Sequence, residues 1–438
     1  VPAVWVSSPA LAIAIGQALA AFYFFAPAAL WLRTPSGRSP VAPVAAVAAF
    51  VFLAAVSLDL WSLRYVALTV HADGPALACG ALAAWCLWRW RATSLGLGTA
   101  ALLSVTAVWT KQVAVGVPLG LALFVAAAFG VSAWVRFAAW GAAWSAASWG
   151  VVIWLFGAPS NVLFHLVHVP GQHRWLWGGG ARALRHSAGL FLRENVTVLA
   201  LAVAAAALGL TASRGQRWPG LKRWLIERPW PVLLTLAVCQ FPLAIMGRAK
   251  IGGDVNAFSH CLYFLLLAVA LAVRDLAFPP PGAAPQRWSR LFLVGAPVLI
   301  LLTVAGLQDR SGVGPALGAD PHPYTVAARF AADHPGKVYF PRMNLVTGLV
   351  EGRIDHQSEG VVDLINAGYP PTSTHFAGRL PPEVEFLVIY LNGMTEQVAV
   401  FERYFELVRL PDHPELPGFW IYRATLRGPD QPPAAASP

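Results

Sequence analysis

"GRAKIGGDVNAFSHCLYFLLLAVALAV", residues 247–273, sets a polar turn directly against an apolar run. Arg248, Lys250, Asp254, Asn256 and His260 surround the Gly252-Gly253 pair, and residues 257–273 are then almost wholly apolar. A membrane-crossing helix needs about 20 apolar residues, because the hydrocarbon core is about 30 Å thick and each residue rises about 1.5 Å. The stretch therefore reads as the end of one span, a charged turn, and the start of the next.

The same criterion applied outward places spans near 9–32, 41–57, 75–91, 95–110, 113–130, 134–156, 197–213, 229–246, 257–273 and 291–307. Of the 438 residues 57% are hydrophobic and 12% charged, and the mean hydropathy is +0.58. Those values lie far from the soluble average. The expected fold is an all-α polytopic membrane domain of about ten transmembrane helices, residues 1–307, followed by a small soluble α/β domain, 308–425, and a disordered tail, 426–438. The second domain rests on a helical pattern in "PYTVAARFAADH" (323–334) and strand patterns in "KVYF" (337–340), "EFLVIYL" (385–391) and "GFWIYR" (418–423). "FPPPGAAPQ" (278–286) reads as a linker and the Pro/Ala-rich tail as disordered.

The formal net charge of +10 falls in short stretches between apolar runs, which excludes a nucleic-acid-binding face and makes the charge a matter of topology. Loops with Arg33, Arg38, Arg89, Arg91, Arg136, the 214–228 cluster and the 274–290 cluster carry more cations than the alternate set and are expected inside. The alternate, outer set keeps Arg64, Lys111, Arg248, Lys250 and the basic residues of 157–196. The expected location is a membrane crossed many times, with the C-terminal domain on the outer side. Cys79, Cys86, Cys239 and Cys261 all lie in apolar runs without metal or C-x-x-C spacing, so they read as small core residues. Many of the nineteen Trp stand beside run ends, as in an interfacial belt. The chain begins at Val1, without a signal-peptide pattern, and N-terminal sequence is expected to precede it.

Three outer groups hold candidate chemistry. Asp59, Arg64, His71 and Asp73 lie in "LDLWSLRYVALTVHADGPALACG" (58–80), where Asp73 ahead of Gly74-Pro75 is placed to cap a helix; a capping Asp in an ordinary loop is the plain alternative. Lys111-Gln112 occupies a turn between two spans, as a fixed cation for an anionic head group or as a snorkelling anchor. Arg248 and Lys250 suit phosphate oxygens, the glycine pair permits close backbone approach, and Asn256 and His260 at i and i+4 would share a helical face. Together Lys111, Gln112, Arg248 and Lys250 read as binding a donor phosphate, with His71, Asp254, Asn256 and His260 lining the pocket. A surface loop with a turn glycine pair is the alternative. In "NVLFHLVHVPGQHRW" (161–175), His165 and His168 stand one helical turn apart, but without an H-E-x-x-H pattern no metal site is assigned. An amphipathic interfacial helix is expected there, with Phe164, Leu166, Trp175 and Trp177 toward lipid.

Residues "VHADGPALACGALAAW" (70–85), "WTKQVAVGVPLGLAL" (109–123) and "GRAKIGGDVNAFSHCLYFLLL" (247–267), in that order and followed by an outer α/β domain, resemble the GT-C superfamily of polytopic membrane glycosyltransferases. The branch is that of bacterial relatives of protein O-mannosyltransferases and of the lipid A aminoarabinose transferase. The resemblance covers most of residues 1–310. It implies transfer of a sugar, with inversion, from a polyprenyl-phosphate donor to a glycan, lipid or protein acceptor on the outer side. Membrane lipid is a further partner and nucleic acid is not one. It also implies a carboxylate base in the first outer loop. That loop and the first span are absent from residues 1–8, so the base is unassigned, and Asp59 and Asp73, of the next outer loop, are the only candidates offered. No cofactor is assigned, and a divalent cation stays open. Arg342, Asn344, His356 and Asp363 of the C-terminal domain form no triad or metal spacing. The competing readings are a lipid-linked saccharide flippase or transporter, against which stand the lack of an inverted repeat and the scarcity of charges inside spans, and an inactive membrane fragment or scaffold.

Overall fold

The computed structural model describes residues 9–33, 42–196, 198–203, 221–251, 253–277, 322–353, 355, 358–368, 380, 383–390, 398–411, 413–414 and 416–427. The expected span at 291–307, most of that at 197–213, the linker at 278–286, Gly252, His356 and the tail from 428 lie outside them.

Each apolar run that falls on described residues is a helix. In chain order these are α1 (Pro9–Leu32), α2 (Ala42–Asp59), α3 (Trp61–Leu68), α4 (Asp73–Trp90), α5 (Ser94–Thr110), α6 (Gly116–Phe129) and α7 (Val131–Phe156). Short turns α8 (Pro159–Leu163) and α9 (Val169–Gln172) flank a wider helical turn at Phe164–His168, and α10 (Gly180–Glu194), α11 (Leu221–Glu227), α12 (Trp230–Ala249) and α13 (Ser259–Ala277) follow. Among the described residues four helical stretches are long and apolar enough to cross a membrane: Leu11–Leu32, Gln112–Phe129, Trp230–Ala249 and Asn256–Asp275. A fifth is α2 with α3 if that pair, bent by 103°, is one span. The bend has a local cause: Leu60 leaves the helical region for an extended conformation.

Small residues set the packing. Gly80, Ala81, Ala83 and Ala84 of α4 are buried, as are Gly96, Gly98, Ala100 and Ala101 of α5, small residues of the kind that let apolar helices approach their neighbours closely. A Cβ on Gly80 would stand 2.8 Å from the Phe264 ring and 3.0 Å from Val117, and one on Gly120 would meet Leu236 at 2.8 Å. Thr93 starts α5 by accepting from the Gly96 amide at 3.1 Å. Buried polar groups are tied to backbone: Trp31 donates to the Ala81 carbonyl at 2.9 Å, Tyr263 to the Phe24 carbonyl at 2.9 Å, and Arg274 to the Leu32 carbonyl at 2.9 Å.

The chain separates into two compact units. One runs over Ala18–Val162 and Trp175–Leu317, the other over Val1–Gln17, Leu163–Arg174 and Gly318–Pro438. The sequence boundary at 307/308 puts residues 163–174 with the membrane helices; here they pack with the second unit, where His173 Nε2 approaches Asp363 Oδ1 at 3.8 Å.

The second unit holds a mixed sheet of β1 (Val338–Tyr339), β2 (Phe386–Tyr390), β3 (Phe405–Arg409) and β4 (Phe419–Leu426) in the order β1-β2-β4-β3, with β1 and β2 parallel and the other pairs antiparallel. Side-chain alternation fills two cores. Val338, Val388 and Ile421 join Ala327 and Phe330 of helix α14 (His322–Asp333), while Tyr339, Leu387, Ile389 and Tyr422 point the other way onto Phe401. The expected helix and three strands are all present. Edge strand β3, half of it exposed, and helices α15 (Asn344–Glu351), α16 (Ser358–Asn366) and α17 (Val398–Phe401) add to them.

Candidate functional site

Two groups of side chains form in the helical unit. The first is built where three helices begin or end. Asp73 is the first residue of α4, Lys111 follows the last residue of α5 in an extended conformation, and His260 is the second residue of α13. They converge on one carboxylate. Lys111 Nζ lies 3.3 Å from Asp73 Oδ2, the Nδ1 of His71 sits against the same oxygen, and His260 Nδ1 lies 3.5 Å from Oδ1. Asp73 is 2% exposed and His260 1%, whereas His71 and Lys111 keep about a quarter of their side-chain surface. Tyr65 of α3 packs edge-on against the His71 ring, 5.5 Å between centroids.

Asp73 is expected to cap α4, and it does not. The cap position belongs to Ala72, which makes no side-chain cap, the Asp73 amide donates to His71 Nδ1 at 3.4 Å, and the carboxylate turns to its cationic neighbours. Asp73 stands ahead of the apolar run 75–91. Burial pushes its carboxyl upward, but the hydrogen bond with His71 and the charge of Lys111 outweigh this and hold it at about 2. A buried carboxylate is tolerated when paired and bonded in this way.

The second group surrounds the turn at 248–253. Arg248, in the last turn of α12, lies over the Trp177 ring at 5.3 Å and donates to the Gly253 carbonyl at 3.0 Å. Lys250 lies over the Trp175 ring at 5.5 Å, and the two residues also form an antiparallel backbone bridge. Trp177 takes a left-handed conformation, φ 55°, to reach Arg248, and His186 of α10 stacks on it at 4.2 Å. Trp175 and Trp177, expected toward lipid, are thus the faces that receive the two cations.

Gly253 is needed for close approach, though to the chain itself. A Cβ there would stand 2.1 Å from the Gly247 carbonyl oxygen, and the Gly253 amide donates to Lys250 at 2.9 Å, so that amide is not offered to an anion. Asn256 falls in the tighter turn Val255–Phe258, ahead of α13, so it and His260 do not share an α-helical face.

The structure therefore gathers Asp73, His71, Lys111 and His260, and turns Arg248 and Lys250 to the two tryptophans. Gln112 is exposed at the head of the turn Gln112–Val115, Asp254 is exposed beyond Gly253, and Asp59 is exposed at the end of α2. Of the two carboxylates named from sequence, Asp73 is buried among titratable partners. Buried Arg64 of α3 lies over Trp61 at 5.2 Å. Sequence reasoning did not single out Tyr65, Ser259 or Gln240. Gln240 is fully buried on α12 against Gly116, and the one available signal was a carboxamide inside an apolar run. Among the described residues no group of three or more His, Cys, Asp or Glu side chains is arranged to hold a metal ion, His165 and His168 included.

No family model, no curated protein and no solved structure matches the chain.

Proposed function

We propose that the protein is a polytopic membrane glycosyltransferase that moves a sugar from a polyprenyl-phosphate donor to an acceptor hydroxyl on the outer side of a bacterial inner membrane, with inversion at the anomeric carbon. The reading takes the ten apolar runs as spans, including those outside the described residues, and the sheet-bearing unit as extracytoplasmic. The observation that carries it is the ionised, buried Asp73 held by Lys111, His71 and His260 at the ends of apolar helices. A structural helix end has no need of a carboxylate, an ammonium and two imidazoles on one point, whereas deprotonating a hydroxyl beside a departing phosphate does.

Lys111 is shared in this account: Asp73 fixes its position and it keeps part of its surface for a phosphate oxygen. Arg248 and Lys250 supply further positive charge, their cations already oriented by Trp177 and Trp175. The apolar helices accommodate the prenyl chain, which a free sugar phosphate would not require.

The test is transfer of labelled hexose from polyprenyl-phosphate hexoses to membranes of expressing cells. Arg248→Ala is expected to lower transfer by about 10- to 100-fold, the loss of a charge-assisted contact worth roughly 1.5–3 kcal/mol, with expression intact. Because Lys111→Ala strips a buried carboxylate of its ammonium, Lys111→Arg serves beside it, keeping the charge while changing its shape. Turnover unchanged in both Arg248→Ala and Lys111→Ala contradicts the assignment.

A further inference from the structure

Asp73 has two carboxylate oxygens, and the structure divides them between different partners. Oδ2 faces Lys111 and His71; Oδ1 faces only the imidazole of His260 within this cluster, at 3.5 Å from Nδ1. The hydroxyl of Ser259 lies 3.4 Å from that same Nδ1. On the far side of the ring, His260 Nε2 is buried and has no hydrogen-bond partner among the described residues. A buried polar atom left so has given up water without a replacement partner. His71 differs: its ring is a quarter exposed and backed by Tyr65, so water can reach it.

An imidazole with one nitrogen facing a carboxylate and a hydroxyl, and the other nitrogen buried and bare, is the arrangement of a proton acceptor oriented by its neighbours. Resting on the transferase reading above, we infer that Asp73 and His260 form a dyad in which a protonated Nδ1 faces Asp73 Oδ1 and Nε2 takes the proton of the acceptor hydroxyl. The bookkeeping of the step closes within the site. The acceptor O–H bond breaks and its proton passes to Nε2. The acceptor oxygen uses the freed electron pair to bond the anomeric carbon, and the carbon–oxygen bond to the donor phosphate breaks with its pair leaving on the phosphate. Asp73 stays ionised and steadies the imidazolium, while Lys111 holds the second carboxylate oxygen. His260 is then the catalytic residue and Asp73 a positioning residue.

Two measurements on the full chain in lipid nanodiscs test this. In protein labelled with 15N-histidine, the His260 signals, identified by their loss in His260→Gln, are expected to show a protonated Nδ1 and a bare Nε2, and Asp73→Asn is expected to shift that tautomer. The opposite tautomer in the unaltered chain overturns the dyad whatever the sugar assay gives. In the transfer assay with polyprenyl-phosphate hexoses, His260→Gln is expected to lower kcat by about 100-fold or more with donor KM little changed, and added imidazole is expected to restore part of the activity of His260→Gly. An active unaltered chain with an equally active His260→Gln overturns the dyad and leaves the transferase reading standing. No transfer by the unaltered chain from any hexose donor overturns both.

Discussion

In the proposed site Lys111 carries two duties that pull against each other, holding a buried carboxylate and remaining open to a phosphate. Its 3.3 Å approach to Asp73 accounts for the first and its partial exposure for the second. Removing it leaves Asp73 ionised and short of a partner in an apolar setting, so Lys111→Ala is expected to destabilise the helical unit by about 2 kcal/mol, less than the 3–5 measured for fully buried pairs because Lys111 is partly solvated. Thermal unfolding in detergent checks the value. Asp73 makes a pH prediction with a definite sign. Its folded pKa, about 2, lies below the ordinary 3.8. The stability it contributes is complete above the ordinary value and is lost as pH falls through about 2. The difference in thermal midpoint between the unaltered chain and Asp73→Asn is therefore expected to be constant above about pH 5 and to shrink between about 4 and 2.

These residues were visible in the sequence as polar side chains at the ends of apolar runs. Their partners were not, because Asp73, Lys111 and His260 come from three helix termini far apart in the chain, and helix packing, rather than local periodicity, decides which ends meet. The same holds for Arg248 and Lys250: their cations were evident, but not the indole rings of Trp175 and Trp177 that hold them.

The helices follow from the apolar runs, and their starts and stops largely coincide with those expected. Sequence periodicity misses the turns. The 103° break at Leu60 falls between the spans expected at 41–57 and 75–91, where the apolar runs predict no helix and α3 forms, and β3 is an edge strand whose exposed residues give a weak alternation. The glycine pair shows how a correct residue type can carry a different physical role. Gly253 lacks a side chain because the Gly247 carbonyl occupies the space, so Gly253→Ala forces backbone apart and is expected to cost about 1–3 kcal/mol. The obstruction at Gly80 is different, being the ends of the Phe264 and Val117 side chains. Gly80→Ala is expected to be the milder change, and comparing thermal midpoints of the two variants decides it.

Across the whole molecule, composition alone separated an apolar helical part from a mixed helix-and-sheet part, and the structure contains both. It did not show that residues 163–174 pack with the sheet-bearing unit, since a His173–Asp363 approach across so long a stretch of chain leaves no local pattern. If the outer topology is right, a phosphatase reporter fused after residue 427 is active and a cytoplasmic reporter at the same place is not; the reverse pattern inverts the proposed orientation.

The proposed donor joins a prenyl chain to a phosphate, the chain assigned to the apolar helices and the phosphate to the cations of the two groups. The most direct measurement is thermal stabilisation of the full chain by a polyprenyl phosphate, set against the uncharged polyprenol of the same length and against inorganic phosphate. The account predicts a shift with polyprenyl phosphate that neither of the others produces and that Arg248→Ala weakens. Equal shifts with the phosphate and the alcohol, or none with either, contradict it.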